Sequence, residues 1–266
     1  MGEPFADLLG ALAALEQAQS HRQECGDVAR PDFSRETRKG VPEVILAEGK
    51  EQADVVEIVR RFLSGTGRAI VSRVSPSLLD LLKQEFPQAQ LHTYSASKTV
   101  VLREPGCDVP KTGGKVGIIT AGTSDIPVAE QSKIVALEMG CEVMASYDVG
   151  VAGIHRLFLP LKQMMDAGVD VVIVAAGMDG ALPSVVAGLV DVPVIGLPTS
   201  VGYGMGGKGV SALLSMLQTC SPGLVVVNID NGVGAGATAA LIANRMARVR
   251  AGSAIESATN RSLTER

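Results

Sequence analysis

From residue 115 to residue 250 the chain alternates short apolar runs with longer segments of mixed polarity. The apolar runs are KVGIIT (115–120), EVMASYD (142–148), DVVIVAA (170–176), VPVIGLP (192–198) and LVVVNI (224–229). The segments between and after them, 126–140, 155–167, 180–190, 208–219 and 234–250, carry helical periodicity. Nearly unbroken apolar runs of this length fit strands covered on both faces. Five strand–helix repeats predict an α/β fold with a doubly wound, five-stranded parallel sheet in the flavodoxin-like order 2-1-3-4-5. On such sheets ligands bind beyond the carboxyl ends of the strands.

The first third follows a less regular rhythm and predicts a smaller α/β domain. Residues 5–19 read as a helix, and 40–50 as a strand followed by glycine. Segment 51–65 reads as an amphipathic helix stopped by Gly65, and 68–74 as a strand. Segment 75–86 reads as a helix with Ser75 as N-cap and Pro76 in its first turn. Two further strands fit 90–94 and 99–102. The Pro- and Gly-containing stretch 103–115 reads as a linker. The expected organisation is an N-terminal domain over 1–108, a core domain over 109–250 and a polar, frayed tail over 251–266.

Composition narrows this picture. Hydrophobic residues make up 46% of the 266, but aromatics only 3%, so Val, Ile, Leu, Ala and Met must build the core. Thirty glycines alongside them favour tightly packed α/β units over a β-sandwich. A formal net charge of −4 gives no basic excess for nucleic acid. The run Arg35-Glu36-Thr37-Arg38-Lys39 fits either an anionic small molecule or a solvated turn. The four cysteines, Cys25, Cys107, Cys141 and Cys220, are widely spaced and form no CxxC pair. That argues against a zinc site or disulfide framework. The N-terminus lacks the basic start of a signal peptide, and no apolar run reaches the roughly 20 residues of a membrane span. A cytoplasmic, soluble protein is expected.

Candidate chemistry gathers after the strands. Ala121-Gly122-Thr123-Ser124-Asp125 lets a ligand approach the backbone, and Ser124 or Asp125 can cap the next helix. Gly177-Met178-Asp179-Gly180 adds a second carboxylate. In the order 2-1-3-4-5 both loops flank one crevice, so Asp125 and Asp179 are candidates for a general base or metal contact. His155-Arg156 offers a carboxylate or phosphate contact, although a lone histidine is more often structural. The segment 199–209, which includes Gly202, lacks the Lys-Ser/Thr ending of a phosphate-binding P-loop and reads as a close-approach loop. Cys220 lies on the amino side of the last strand, at the bottom of the sheet. By itself that position favours a small buried hydrophobe. The stretch 231–237 is almost free of side-chain bulk and suits packing against either a neighbour or a ligand.

Taken together, AGTSD (121–125), GIHR (153–156), AAGMDGALP (175–183), VPVIGLP (192–198) and GVGAGATAA (232–240) resemble the N5-carboxyaminoimidazole ribonucleotide mutase family of purine synthesis. The likeness is collinear over about residues 115–250. The chain departs from that family at Ala121-Gly122-Thr123, at Asp179, at Cys220 and in its N-terminal domain containing DFSRETRKGVPEVILAEGK (32–50). With these departures it resembles the nickel-pincer nucleotide cofactor biosynthesis family LarB. That resemblance implies carboxylation of the pyridinium ring of nicotinic acid adenine dinucleotide by CO2 or bicarbonate. It also implies phosphoanhydride cleavage to pyridinium-3,5-biscarboxylic acid mononucleotide and AMP, feeding the cofactor of lactate racemase and related enzymes.

By the same resemblance Cys220 is the nucleophile and Asp125 or Asp179 the base, with Ser124 orienting a carboxylate or CO2. Gly122, Thr123, His155, Arg156, Gly177, Met178, Gly180 and Gly202 are expected to contact substrate, and Arg35, Arg38, Lys39 and Arg73 the AMP half. Mg2+ is expected to assist phosphoanhydride cleavage, with no organic cofactor. The mutase resemblance implies a homo-octamer, in which the bottom of one sheet can reach the top of another. Two other readings are an aminoimidazole ribonucleotide carboxylase or mutase, which needs no thiol, and a non-catalytic nucleotide-binding protein.

Overall fold

A computed structural model describes residues 31–264, with side chains through Gly252. The expected helix at 5–19 and Cys25 lie outside the described residues.

The core begins with β5 (Lys115–Thr120) and α4 (Ile126–Glu138), followed by β6 (Glu142–Ser146) and α5 (His155–Asp166). Next come β7 (Val171–Ala176), α6 (Leu182–Ala187), β8 (Val194–Pro198), α7 (Val210–Leu217), β9 (Leu224–Val226) and α8 (Gly232–Thr264). The five strands are all parallel in the order β6-β5-β7-β8-β9, the expected 2-1-3-4-5. Alternate residues face opposite layers. Val116, Ile118, Ile173 and Ile195 pack with Ala129 and Val135 of α4 and Ala239 and Ala243 of α8. Ile119, Val172, Val174 and Val194 pack with Leu157 of α5, Leu182 of α6 and Met216 of α7. Both faces are buried, which is why the strands read as apolar runs rather than as alternation.

The small-residue stretch after β9 serves packing within the chain. A Cβ at Gly232 would stand 2.3 Å from the Val128 carbonyl oxygen, and one at Gly236 would stand 2.4 Å from that of Ser132. Helices α4 and α8 are therefore in near backbone contact, and the Ser132 hydroxyl donates to the Gly232 carbonyl at 2.9 Å. Helix α8 is longer than expected: its backbone stays helical through Thr264, so residue 250 is not an element end. No proline interrupts it, and Ala, Arg, Glu and Ser sustain the turn.

The preceding elements are α1 (Arg35–Lys39), β1 (Val44–Leu46), α2 (Gln52–Thr66), β2 (Arg68–Ser72), α3 (Pro76–Glu85), β3 (Gln90–Tyr94) and β4 (Thr99–Arg103). Their sheet is mixed, in the order β1-β2-β4-β3, with only β1 and β2 parallel. Ser75 caps α3 through its hydroxyl, which accepts from the Leu78 N–H at 3.2 Å, and Pro76 opens the helix. Helix α2 does not stop at Gly65. It continues to Thr66, and Gly67 ends it in the left-handed conformation, its N–H bonded to the Leu63 carbonyl.

The two sheets belong to one compact unit, Asp32–Arg266, joined by segment 104–114. Ile70 and Val101 of the small sheet meet Ile134 of α4 in a shared apolar cluster. Beside it Arg68 reaches both the Glu138 carboxylate, at 3.1 Å, and the Glu138 carbonyl, at 2.8 Å. Arg103 donates to the other oxygen of Glu138 at 2.5 Å, and Arg68 Nη2 also lies 2.8 Å from both carboxylate oxygens of Glu36. Glu138 is fully buried, so removing either its charge or its arginines would leave an uncompensated buried ion. Among the described residues no helix is long and apolar enough to cross a membrane.

Candidate functional site

The carboxyl ends of β5, β7 and β8 bring their loops together around Asp125. This carboxylate is only 3% exposed. One oxygen accepts from the Gly122 N–H at 2.8 Å, and the other accepts from the Thr199 hydroxyl at 2.6 Å. Thr199 directly follows β8, is fully buried, and donates its own N–H to the Ala176 carbonyl at the end of β7. Desolvation holds the Asp125 carboxyl above its usual range, and the Thr199 and backbone donors only partly offset that. A buried carboxylate with raised proton affinity is a stronger base than an ordinary exposed one.

The β7 loop closes on the β8 loop. The Met178 N–H donates to the Val201 carbonyl at 2.9 Å. A Cβ at Gly177 would fall 2.2 Å from that same oxygen and 2.8 Å from the Thr199 hydroxyl oxygen. Glycine is therefore required at 177 by loop-to-loop packing, and Gly180 is likewise pressed against the Ala212 backbone. Ser211 lies within hydrogen-bond distance of the Met178 and Gly206 carbonyls, at 2.5 and 3.2 Å. Asp230, after β9, accepts from the Ser200 N–H at 2.9 Å. Of the six non-glycine residues with left-handed backbone among the described residues, four sit on this rim: Asp148, Met178, Lys208 and Asp230. Such strain gathers where surrounding structure holds a loop in a set shape.

The remaining expected residues divide in two. Thr123 and Ser124 are exposed on the β5 loop; of the two expected caps, Asp125 holds the N-cap position of α4 but makes no side-chain cap bond, its carboxylate accepting from Gly122 instead, and Ser124 is not the cap. Asp179 is exposed and accepts from the Ala181 N–H at 3.4 Å. His155 opens α5 and is exposed, and Arg156 pairs with Asp148 at 2.8 Å. Gly202 lies beside Met178. Arg35 and Arg38 instead pair with Asp32, at 3.8 and 2.7 Å, and Arg73 pairs with Glu48. These three arginines hydrogen-bond no residue of the rim loops; their charges are matched within the small sheet's own elements.

Cys220 stands on the amino side of β9, the opposite end of the sheet from Asp125, as its place in the sequence requires. It is exposed, which overturns the reading of a small buried hydrophobe. The outer face of α7 beside this turn leaves Val210, Leu214 and Leu217 exposed as well. Cys141, which precedes the other edge strand β6, is the buried thiol. Thr199, Asp230 and Ser211 escaped sequence reasoning. The available signal was a polar residue directly after a fully apolar strand, as at Thr199.

The AIR carboxylase family model matches residues 115–262, more than half of the chain. The chain belongs to the AIR carboxylase family. Residues 23–104 match a second model, the LarB/PurE-like N-terminal domain. An uncharacterised protein of Methanocaldococcus jannaschii is 42% identical over 260 residues, covering 92% of this chain and 99% of its own length. The N5-carboxyaminoimidazole ribonucleotide mutase of Thermotoga maritima is 33% identical over 135 residues, 48% of this chain and 74% of that protein. The mutase of M. jannaschii is 34% identical over 127 residues, 47% of this chain and 74% of that protein. A crystal structure of a point variant of Treponema denticola PurE2 covers 57% of this chain and 96% of its own, at 22% identity and a TM-score of 0.39. The mutase likeness is confined to about half of this AIR carboxylase family member.

Proposed function

We propose that this protein carboxylates C5 of the pyridinium ring of nicotinic acid adenine dinucleotide and hydrolyses its phosphoanhydride, with Cys220 as covalent nucleophile. The exposed thiol of Cys220 carries the reading, because a space-filling cysteine would be covered. The match of residues 23–104 to the LarB/PurE-like N-terminal domain supports it further.

The chemistry follows from the ring. A pyridinium cation is too electron-poor to attack CO2. Addition of the Cys220 thiolate to a ring carbon places its electron pair in a new C–S bond and gives a neutral dihydropyridine. Its enamine carbon, C5, then forms a C–C bond to CO2. A base takes the C5 proton, and the C–S pair returns to sulfur as the aromatic cation is restored. The net change exchanges one ring hydrogen for a carboxylate, with release of one proton. Asp125 is the preferred base because it is buried and its proton affinity is raised; Asp179 is exposed. Water then cleaves the phosphoanhydride and releases AMP.

Within one chain Cys220 and Asp125 are separated by the length of the sheet, on the order of 17–20 Å for strands of this size. The reading therefore requires a second copy to bring Cys220 to the rim. The exposed Val210, Leu214 and Leu217 on α7, with Val225 on edge strand β9, supply an apolar face beside Cys220 for that contact. The proposed assembly is the homo-octamer implied by the mutase resemblance. For Mg2+, no three His, Cys, Asp or Glu side chains converge among the described residues, which therefore offer no all-protein cage for the ion.

Incubation with nicotinic acid adenine dinucleotide and labelled bicarbonate tests the reading. It predicts AMP release, label in the ring and a substrate adduct on Cys220 by mass spectrometry. Cys220→Ala should lose at least about 10³-fold in rate. An unchanged rate in that variant would sink the covalent mechanism. Thiol-independent turnover of aminoimidazole ribonucleotide would favour the mutase reading instead.

A further inference from the structure

The rim beyond the strands carries two permanent cations, Arg156 in the first turn of α5 and Lys208 in the β8 loop. Arg156 is already paired with Asp148. Lys208 is exposed and has no carboxylate or hydrogen-bond partner among the described residues. The other charges on these loops, Asp125, Asp179 and Asp230, are acidic. An anionic group entering here meets one unmatched cation, and an acidic rim otherwise.

Lys208 is also held in an unfavourable backbone conformation, φ 59 and ψ 31, between Gly207 and Gly209. Glycine adopts that conformation without steric penalty, and lysine does not. Its neighbour Gly209 is seated on the site: a Cβ there would stand 2.7 Å from the Thr199 carbonyl oxygen. Thr199 in turn holds Asp125. The backbone beside Lys208 is thus fixed to the buried carboxylate network, and the lysine is presented from it. Five of the eight residues 202–209 are glycines, so the backbone around the ammonium is open to a bulky tetrahedral anion.

We propose that Lys208 is the phosphate contact of this site, pairing with a phosphate group of the nucleotide substrate. A compact ammonium on a flexible stem suits a phosphate oxygen as a point charge. The inference rests on the rim being the ligand site. It does not depend on which nucleotide is turned over, since nicotinic acid adenine dinucleotide and aminoimidazole ribonucleotide both carry phosphate.

The test is calorimetric titration of the parent, Lys208→Met and Lys208→Gly with each nucleotide and with its phosphate-free riboside. Lys208→Met should weaken nucleotide binding about tenfold or more while leaving riboside binding within about twofold. Lys208→Gly should bind nucleotide equally poorly yet melt at or above the parent temperature, because glycine relaxes the strained position. Loss of binding with gain of stability separates a ligand contact from a folding role. Nucleotide binding within twofold of the parent in Lys208→Met, or equal losses for nucleotide and riboside, overturns the proposal. If the parent binds only aminoimidazole ribonucleotide, the pyridinium reading fails while Lys208 is still judged on that pair. If the parent binds neither, both fall.

Discussion

Cys141 and Cys220 occupy matching places in the topology and have opposite fates. Each precedes an edge strand at the bottom of the same parallel sheet, Cys141 before β6 and Cys220 before β9. At the β6 edge, α8 lies across the thiol: Cys141 Sγ is 3.2 Å from Asn244 Oδ1, and Asn244 also ties down the Met139 carbonyl. Burial pushes the Cys141 thiol up to about 11. At the β9 edge Cys220 is exposed. Residue type and end of the sheet are shared, but Cys141 directly precedes its strand and lies under α8, whereas Cys220 stands on the turn four residues ahead of β9 and is exposed.

Alkylation should show the widest gap. With a value of about 11, Cys141 has on the order of one thiol in 10³ ionised at pH 8 and is also covered. Iodoacetamide should label Cys220 at least about 100-fold faster, read by peptide mass, and nicotinic acid adenine dinucleotide should slow that labelling. Comparable rates at the two cysteines would erase the contrast.

Asp125→Asn tests the other end of the sheet. It should lower kcat about 10²-fold if Asp125 is the base, while Asp179→Asn, at an exposed position, should stay within a few-fold. The sign of the pH effect follows from burial. The folded Asp125 binds its proton more tightly than the unfolded carboxyl, whose ordinary value is 3.8. Its contribution to stability is therefore greatest below that value and declines as pH rises through the raised folded value. Denaturant melts across acidic pH should show this slope in the parent and lack it in Asp125→Asn. The base form grows over the same interval, so activity should rise as that part of the stability falls.

The smallest effect compares the thiols by stability. Cys141→Ala should cost about 1 kcal/mol and leave turnover within twofold, whereas Cys220→Ala should change the melting midpoint little. Reversal of that order would place the packing role at the wrong cysteine.

Much of the fold was legible along the chain. Apolar runs such as VVIVAA and VIGLP fit strands covered on both faces, and their alternation with helical segments fits right-handed crossovers and a doubly wound sheet, whose order the strand pairing then fixes as 2-1-3-4-5. The N-terminal helix ends were less legible, because Gly65 and Gly67 both carry the stop signal and only the left-handed turn at Gly67 decides between them. The site was half visible. Asp125 stood out after its strand, but its partner Thr199 lies 74 residues away and meets it only through the β5–β7–β8 pairing. The pairing of Arg35 and Arg38 with Asp32, and of Arg73 with Glu48, was equally invisible, since it depends on how α1 and the β1 and β2 loops fold back.

The sequence by itself determined the layered α/β architecture, the loops that form the rim and the placement of Cys220 at the foot of the last strand. Those features depend on local periodicity and on chain order, which are one-dimensional. Tertiary structure decided which thiol is covered, that Asp125 is buried against Thr199, and that Glu138 joins the two sheets through Arg68 and Arg103. Burial and charge pairing are set by contacts between residues distant in the chain, and no stretch of sequence contains both partners.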